Sequence, residues 1–386
     1  MEEPRFSIDR LTLHNFRNYE SLRIEPRARL IAFAGPNGAG KTNILEAISL
    51  LVPGRGLRGS AFNLLGRLGG NGSWAVAADG ETPQGEVQLG TGFEADPFAE
   101  DAEQSGRSAM IDGLLQKSSG KLGAYLRILW LTPAMDRLFA GPAGDRRRFF
   151  DRLVASFDES HGARVNAFEK LMRERNFLLQ DERADRTWLS SLEAQMAECA
   201  IAMAASRNEV AGHLAAHFAG AENVSPFPWG VFQLAGDIED LVAAKPAVQA
   251  EEEYARILAD SRGLDRAQGR TVKGPHRTDF SVMHGPKSTL ASLCSTGEQK
   301  ALLIGLILAQ ARAVKDHLGA APLLLLDEVS AHLDEARRQG LYETLSQLGA
   351  QSFMTGTEAA LFAGVGPQAQ LYAVENGKVE DMKVKP

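Results

Sequence analysis

The sequence predicts an α/β fold: a mixed sheet flanked by helices, an added antiparallel β layer, and an α-helical lid or arm domain inserted in the middle. Three observations carry this. Arg29-Leu30-Ile31-Ala32-Phe33-Ala34 reads as a buried strand that runs into a glycine-rich loop and then a helix. Leu323-Leu324-Leu325-Leu326 is apolar throughout, as a parallel strand covered on both faces must be, and it stops at two acids, Asp327 and Glu328. Between these segments the apolar spacing turns helical. The expected organisation is 1–133 for the first part of the head, 134–268 for the helical domain, and 269–386 for the rest of the head.

The bulk properties narrow the class. With 386 residues, 44% hydrophobic and 24% charged, the chain resembles a soluble globular protein with room for two domains. No apolar run approaches the ~18 residues that a membrane crossing needs. Met1-Glu2-Glu3-Pro4-Arg5 does not read as a signal peptide. Cys199 and Cys294 lack metal-ligand spacing and are expected as buried free thiols in a reducing, cytoplasmic setting. A net charge of −7 argues against a surface coated all over by nucleic acid but permits a local basic face.

The first strand is expected over Phe6 to Leu13, followed by a polar stretch, His14 to Glu20, and then the loop strand. Asn43 to Leu51 reads as a helix, with Ile44, Leu45, Ile48 and Leu51 on one stripe. Trp74 to Ala78, Glu86 to Leu89 and Ser108 to Ile111 read as short antiparallel strands, with an acidic loop from Ala95 to Ser105. Leu126 to Leu131 is a buried strand stopped by Thr132-Pro133. Asp145 to Phe157 is a helix with Arg146-Arg147-Arg148 in its first turn, where positive charge opposes the helix dipole. Those arginines either pair with Asp145, Asp151 and nearby acids or contact DNA or a partner. Asn166 to Asp181 and Trp188 to Ala219 form an αα-hairpin, too short and without the heptad seam of a long coiled coil. Trp229 to Leu234 fits a strand and Val248 to Leu258 an amphipathic helix. Gly274 to Phe280 is a polar turn entering a strand, with His276 either structural or catalytic. An apolar helix over Ala301 to Ala313, a helix over Asp334 to Leu348, a strand over Gln351 to Thr355 and the hairpin dipeptide Asn376-Gly377 complete the chain.

The chemistry lies in two stretches. Gly35-Pro36-Asn37-Gly38-Ala39-Gly40-Lys41-Thr42 fits G-x-x-x-x-G-K-[ST] at each fixed position. Glycines let the backbone approach a phosphate chain, and the helix start aims N–H groups at it. Lys41 is placed to reach the outer phosphates of ATP, and the Thr42 hydroxyl to ligate Mg²⁺. Asp327 at the strand end would hold Mg²⁺ through water, and Glu328 would orient or deprotonate the attacking water. Arg17 is either a solvated loop charge or a guanidinium beside the nucleotide.

Ser330-Ala331-His332-Leu333-Asp334 resembles the D-loop of ATP-binding-cassette enzymes, and Ser295-Thr296-Gly297-Glu298-Gln299-Lys300 resembles their signature motif. The resemblance implies that Ser295 and Gly297 hold the γ-phosphate bound by a second copy, that Asp334 joins the two sites, and that the dimer forms with ATP. The other reading of Ser295 is a plain helix cap. Thr355-Gly356-Thr357 occupies the place of the superfamily's switch residue, without its histidine.

Leu11 to Tyr19, of the form L-x-L-x-x-F-R-N-Y, resembles the RecF family of bacterial DNA replication and repair proteins. So do the run from Leu131-Thr132-Pro133 through Gly141-Pro142 to Arg147-Arg148-Phe149-Phe150-Asp151, and Gly274-Pro275-His276-Arg277-Thr278-Asp279. Glu298 departs from the family's signature, which has Gln there. The resemblance implies a weak DNA-stimulated ATPase that dimerises with ATP on duplex or gapped DNA. It also implies RecO- and RecR-type partners, help in loading RecA recombinase, and reset by hydrolysis. The alternatives are a transporter ATPase subunit, a coiled-coil chromosome-maintenance ATPase, and an ATP-binding scaffold with negligible turnover.

Overall fold

The structure is a computed structural model, and it describes residues 4–95, 106–181, 185–222 and 225–382. In chain order the head begins with β1 (Ser7–Phe16), β2 (Tyr19–Ile24), β3 (Leu30–Ala34), α1 (Lys41–Ser49), β4 (Trp74–Thr82), β5 (Gly85–Phe93), β6 (Ser108–Ile111), β7 (Leu114–Leu115) and β8 (Ile128–Leu131). There follow α2 (Ala143–Ala155), α3 (His161–Leu179), α4 (Arg186–Ala219), β9 (Gly230–Ala235), α5 (Asp237–Ala244), α6 (Ala247–Gln268), β10 (Asp279–His284) and β11 (Thr289–Leu290). The chain ends with α7 (Thr296–Leu318), β12 (Leu323–Leu326), α8 (Glu335–Leu348), β13 (Ser352–Gly356), β14 (Gln370–Glu375) and β15 (Lys378–Met382).

The chain divides into two units: Met1–Asp136 with Ala221–Phe227 and Leu303–Pro386, and Arg137–Gly220 with Pro228–Leu302. The sequence expectation differs at more than one place: residues 134–136 and 221–227, expected in the helical domain, fall in the first unit. Residues 269–302, expected with the head, fall in the helical unit, because β10 pairs with β9 and β11 and packs on α2.

The first unit holds two sheets. One has the order β15-β14-β3-β13-β12-β8, parallel from β14 to β8 with β15 antiparallel at the edge. The interior position of β12, between β13 and β8, goes with its four leucines, all buried. The other sheet is antiparallel, β2-β1-β4-β5-β6-β7. Its inward residues Leu11, Leu13, Val76 and Leu89 share one core with Phe33 of β3 and Ile44, Leu45 and Ile48 of α1. Each such aliphatic side chain contributes about 1.5–3 kcal/mol on burial, which fixes α1, and so the loop before it, against the sheets.

The first strand runs further than expected, to Phe16, and a tight turn at Arg17-Asn18 leads into β2. Phe16 and Tyr19 face each other across the turn, both buried, and Arg17 takes a left-handed φ of 55°. The polar letters between them hid the pairing. The expected loop from Ala95 to Ser105 lies, from 96 on, outside the described residues.

The second unit is a helical layer beside a three-stranded antiparallel sheet, β11-β10-β9. α3 and α4 pair as the expected hairpin. Both also pack on α6, which extends ten residues beyond the expected end at Leu258 to Gln268. Its last turns look polar, but Ser261 and Asp265 are buried as hydrogen-bond and ion-pair partners. α5 was not anticipated. Phe168, Met196, Ile201, Ile238, Tyr254 and Leu258 fill this core. Phe149 and Phe150 of α2 meet Phe232 and Phe280 of the sheet. The two cysteines are free, as expected, but half-buried rather than buried.

Candidate nucleotide site

The loop after β3 leaves the carboxyl end of the parallel sheet and enters α1 at Lys41. Gly38 and Gly40 take φ of 82° and 112°, conformations that suit glycine. Gly35 is required for another reason: a Cβ there would lie 2.0 Å from the Val374 carbonyl oxygen. Asn18 Nδ2 donates to the Ala39 carbonyl at 3.2 Å and the Tyr19 hydroxyl to the Gly40 carbonyl at 3.1 Å, so the turn after β1 braces the loop from outside. Lys41 is 4% exposed, and its Nζ donates to the Gly35 and Pro36 carbonyls at 2.7 and 2.9 Å. Burial lowers its pKa from the ordinary lysine value, while Glu328 and Asp327 act to raise it.

The Thr42 hydroxyl donates to Asp327 Oδ1 at 2.8 Å, which joins the loop to the end of β12. The Thr355 hydroxyl donates to the same oxygen at 2.7 Å and accepts the Glu328 N–H at 2.9 Å. Glu328 takes a left-handed φ of 53°. Lys41-Thr42 and Asp327-Glu328, with Thr42 and Asp327 285 residues apart, therefore form one cluster. A cavity of about 330 Å³ opens on the loop itself, lined by Pro36 to Ala39 together with Asn18, Asn376 and Gly377. The set fits Mg·ATP. Among the described residues no group of three or more His, Cys, Asp or Glu forms a metal cage. A hydroxyl next to one carboxylate is the hard-oxygen arrangement that Mg²⁺ takes when phosphates and water complete its shell.

The other expected site residues lie elsewhere. The Arg17 guanidinium is committed to Glu46, at 2.8 and 2.7 Å, and to Ser60 and the Leu64 carbonyl at 2.8 and 3.0 Å. Glu46 is fully buried and also binds Arg58, at 3.0 Å. Arg17 thus acts as a counter-charge that anchors α1. Ser295 and Gly297 are exposed in the second unit, where α7 begins. A Cβ on Gly297 would meet nothing within 4 Å. Glu298 accepts from the Ser295 N–H at 3.0 Å and pairs with Lys287. These contacts, that of Lys287 first, bring its pKa down to about 2. Asp334 caps α8 by accepting the Arg337 N–H at 2.8 Å.

Arg146 pairs with Asp279 at 2.7 and 2.6 Å, Arg148 with Asp145, and Arg147 donates to the Thr278 carbonyl. Asp151, expected among their partners, instead binds Arg207 and His161. His276 bonds the Thr271 carbonyl at 3.0 Å and stacks on Phe168, a structural setting. Sequence reasoning missed Asn18, Tyr19, Glu46, Asn376 and Gly377 as parts of the site. The hairpin dipeptide was visible, but only the pairing of β14 with β3 carries it to the loop.

The fold and the site define a P-loop ATPase head of the ATP-binding-cassette type. A family model described as "AAA domain" matches residues 10–87. The DNA replication and repair protein RecF of Mesorhizobium japonicum is 48% identical over 96% of this chain and 97% of its own length. That of Rhizobium leguminosarum bv. trifolii is 47% identical over 97% and 98%. The chain belongs to the RecF family. A solved structure of the recombination mediator protein RecF-ATP of the RecFOR pathway shares the fold, with a TM-score of 0.82 and 22% identity over 98% of this chain and 100% of that one. An SMC head bound to the winged-helix domain of ScpA is more distant, at 0.55 and 16% over 99% of each.

Proposed function

We propose that the chain is an ATP-gated DNA-binding protein of replication and recombinational repair. It pairs with a second copy when ATP is bound, engages duplex or gapped DNA, and is reset by slow, DNA-stimulated hydrolysis. RecO- and RecR-type partners and help in loading recombinase on single strands belong to this reading, as does a cytoplasmic site of action. Among the described residues no helix is long and apolar enough to cross a membrane.

The observation that carries the reading is the convergence of Thr42, Asp327, Thr355 and Glu328 on one set of hydrogen bonds. Loop amides and Lys41 would bind the phosphates, and Thr42 and Asp327 would hold Mg²⁺. When bound, Mg²⁺ neutralises charge on the outer phosphates. The Glu328 carboxylate would align the attacking water and take its proton. Supporting the paired state, α7 offers a solvent-open N-terminus with no side chain at Gly297, the arrangement that binds anions. A phosphate contributed by another copy fits there. The test is sizing of Glu328→Gln with Mg·ATP, with ADP and without nucleotide, each with and without gapped DNA. A dimer confined to the ATP samples is expected. A variant that stays monomeric with Mg·ATP on DNA overturns the paired state.

A further inference from the structure

We infer that Thr355 is a positioning residue for hydrolysis, setting the backbone of Glu328 and the carboxylate of Asp327 at once. The inference rests on the ATPase reading above. β13 lies between the loop strand β3 and the acid-bearing strand β12, and Thr355 is the next-to-last residue of β13. Its side chain is fully buried and holds two opposed bonds: the hydroxyl proton goes to Asp327 Oδ1, and a lone pair accepts the Glu328 N–H. The next residue fixes the loop, because the Gly356 carbonyl accepts the Gly35 N–H at 3.2 Å.

Glu328 needs this support. Its φ of 53° is the left-handed region, which a non-glycine residue rarely holds without surrounding constraint. The conformation decides where the carboxylate points. A hydroxyl is the group suited to the position, since it alone among small side chains donates to the acid and accepts from the amide. Valine has nearly the same shape and does neither. It leaves the Glu328 N–H without its acceptor and frees Asp327 from one of its two hydroxyls. Serine restores both bonds.

The experiment compares Thr355→Val and Thr355→Ser with the parent for ATP affinity, turnover and Tm, and adds Thr355→Val to Glu328→Gln. Thr355→Val should lower kcat by about 10- to 100-fold, the usual effect of a residue that orients a ligand. ATP affinity should stay within about 3-fold, since Lys41 and the loop amides are untouched. Thr355→Ser should recover most of kcat. In the Glu328→Gln background Thr355→Val should cost less than in the parent, because one of the two groups it positions is already disabled. Unchanged kcat, failed recovery by serine in a folded protein, or full additivity with Glu328→Gln each overturns the inference. If Glu328→Gln alone hydrolyses at the parent rate, the assignment of Glu328 fails instead, and the two failures are told apart.

Discussion

Replacing Arg175 with methionine should destabilise the helical unit by about 3–5 kcal/mol, the cost of stripping one partner from a buried ion pair. The guanidinium is fully buried, with Glu193 at 2.9 Å and Asp265 at 2.7 Å. It also donates to the Thr271 hydroxyl at 3.0 Å and the Leu258 carbonyl at 2.7 Å. Methionine keeps the apolar stem and supplies none of these bonds. The loss is smaller than two orphaned carboxylates would give. Glu193 keeps Arg262, and Asp265 keeps the Ser261 hydroxyl and the Val272 N–H. For a domain of 150–250 residues, the loss corresponds to a fall in Tm of about 6–20 °C. Calorimetry of the full chain at neutral pH reads it, with Asp265→Asn and the double variant alongside. The double variant should fall short of the summed losses, because the charge left without a partner has been removed. A Tm within about 2 °C of the parent, or strict additivity, refutes the assignment of Arg175 as the counter-charge of this core.

Lys41→Arg should keep measurable ATP binding while turnover falls by about 10-fold or more, because a planar guanidinium does not fit where an ammonium donates to two loop carbonyls; titration and steady-state turnover separate the two, and parent turnover would count against Lys41. Gly297→Asp should leave Tm unchanged, since its side chain enters open space. It should also abolish ATP-dependent pairing, since a carboxylate would meet the partner's phosphate; pairing that survives would move the proposed anion site elsewhere. Burial raises the Asp158 carboxyl, but hydrogen bonds from Ser160 and Ser206 and the charge of Arg164 outweigh it and leave the pKa at about 2. A depressed folded pKa stabilises above the unfolded value, near 3.9, and the gain is lost as pH falls through about 2. The Tm gap between the parent and Ser206→Ala should therefore narrow from about pH 5 to pH 2; a gap independent of pH would show that Ser206 acts on Asp158 through packing alone.

The sequence by itself determined the parts of the site whose chemistry is local. A glycine loop between strand and helix has one workable geometry, so Gly35 to Thr42 could be read from eight consecutive letters. A strand of four leucines ending in Asp327-Glu328 announces its burial and its open end in the same way. The longer helices of the second unit were legible from apolar residues at helical spacing, whereas the eight-residue α5 was not. Only the tertiary structure decided the long-range partnerships. The letters left Arg17 as either a solvated loop charge or a guanidinium beside the nucleotide, and Glu46, 29 residues on, proved to hold it. Arg175 and Arg207 carry no mark of burial in the sequence, yet both are buried against acids from other segments. Thr355 matters because β13 lies between β3 and β12, and sheet order is not written in the letters of any one strand. The physical reason is common to all four: a charge or hydroxyl takes its role from the group it meets, and folding chooses that group.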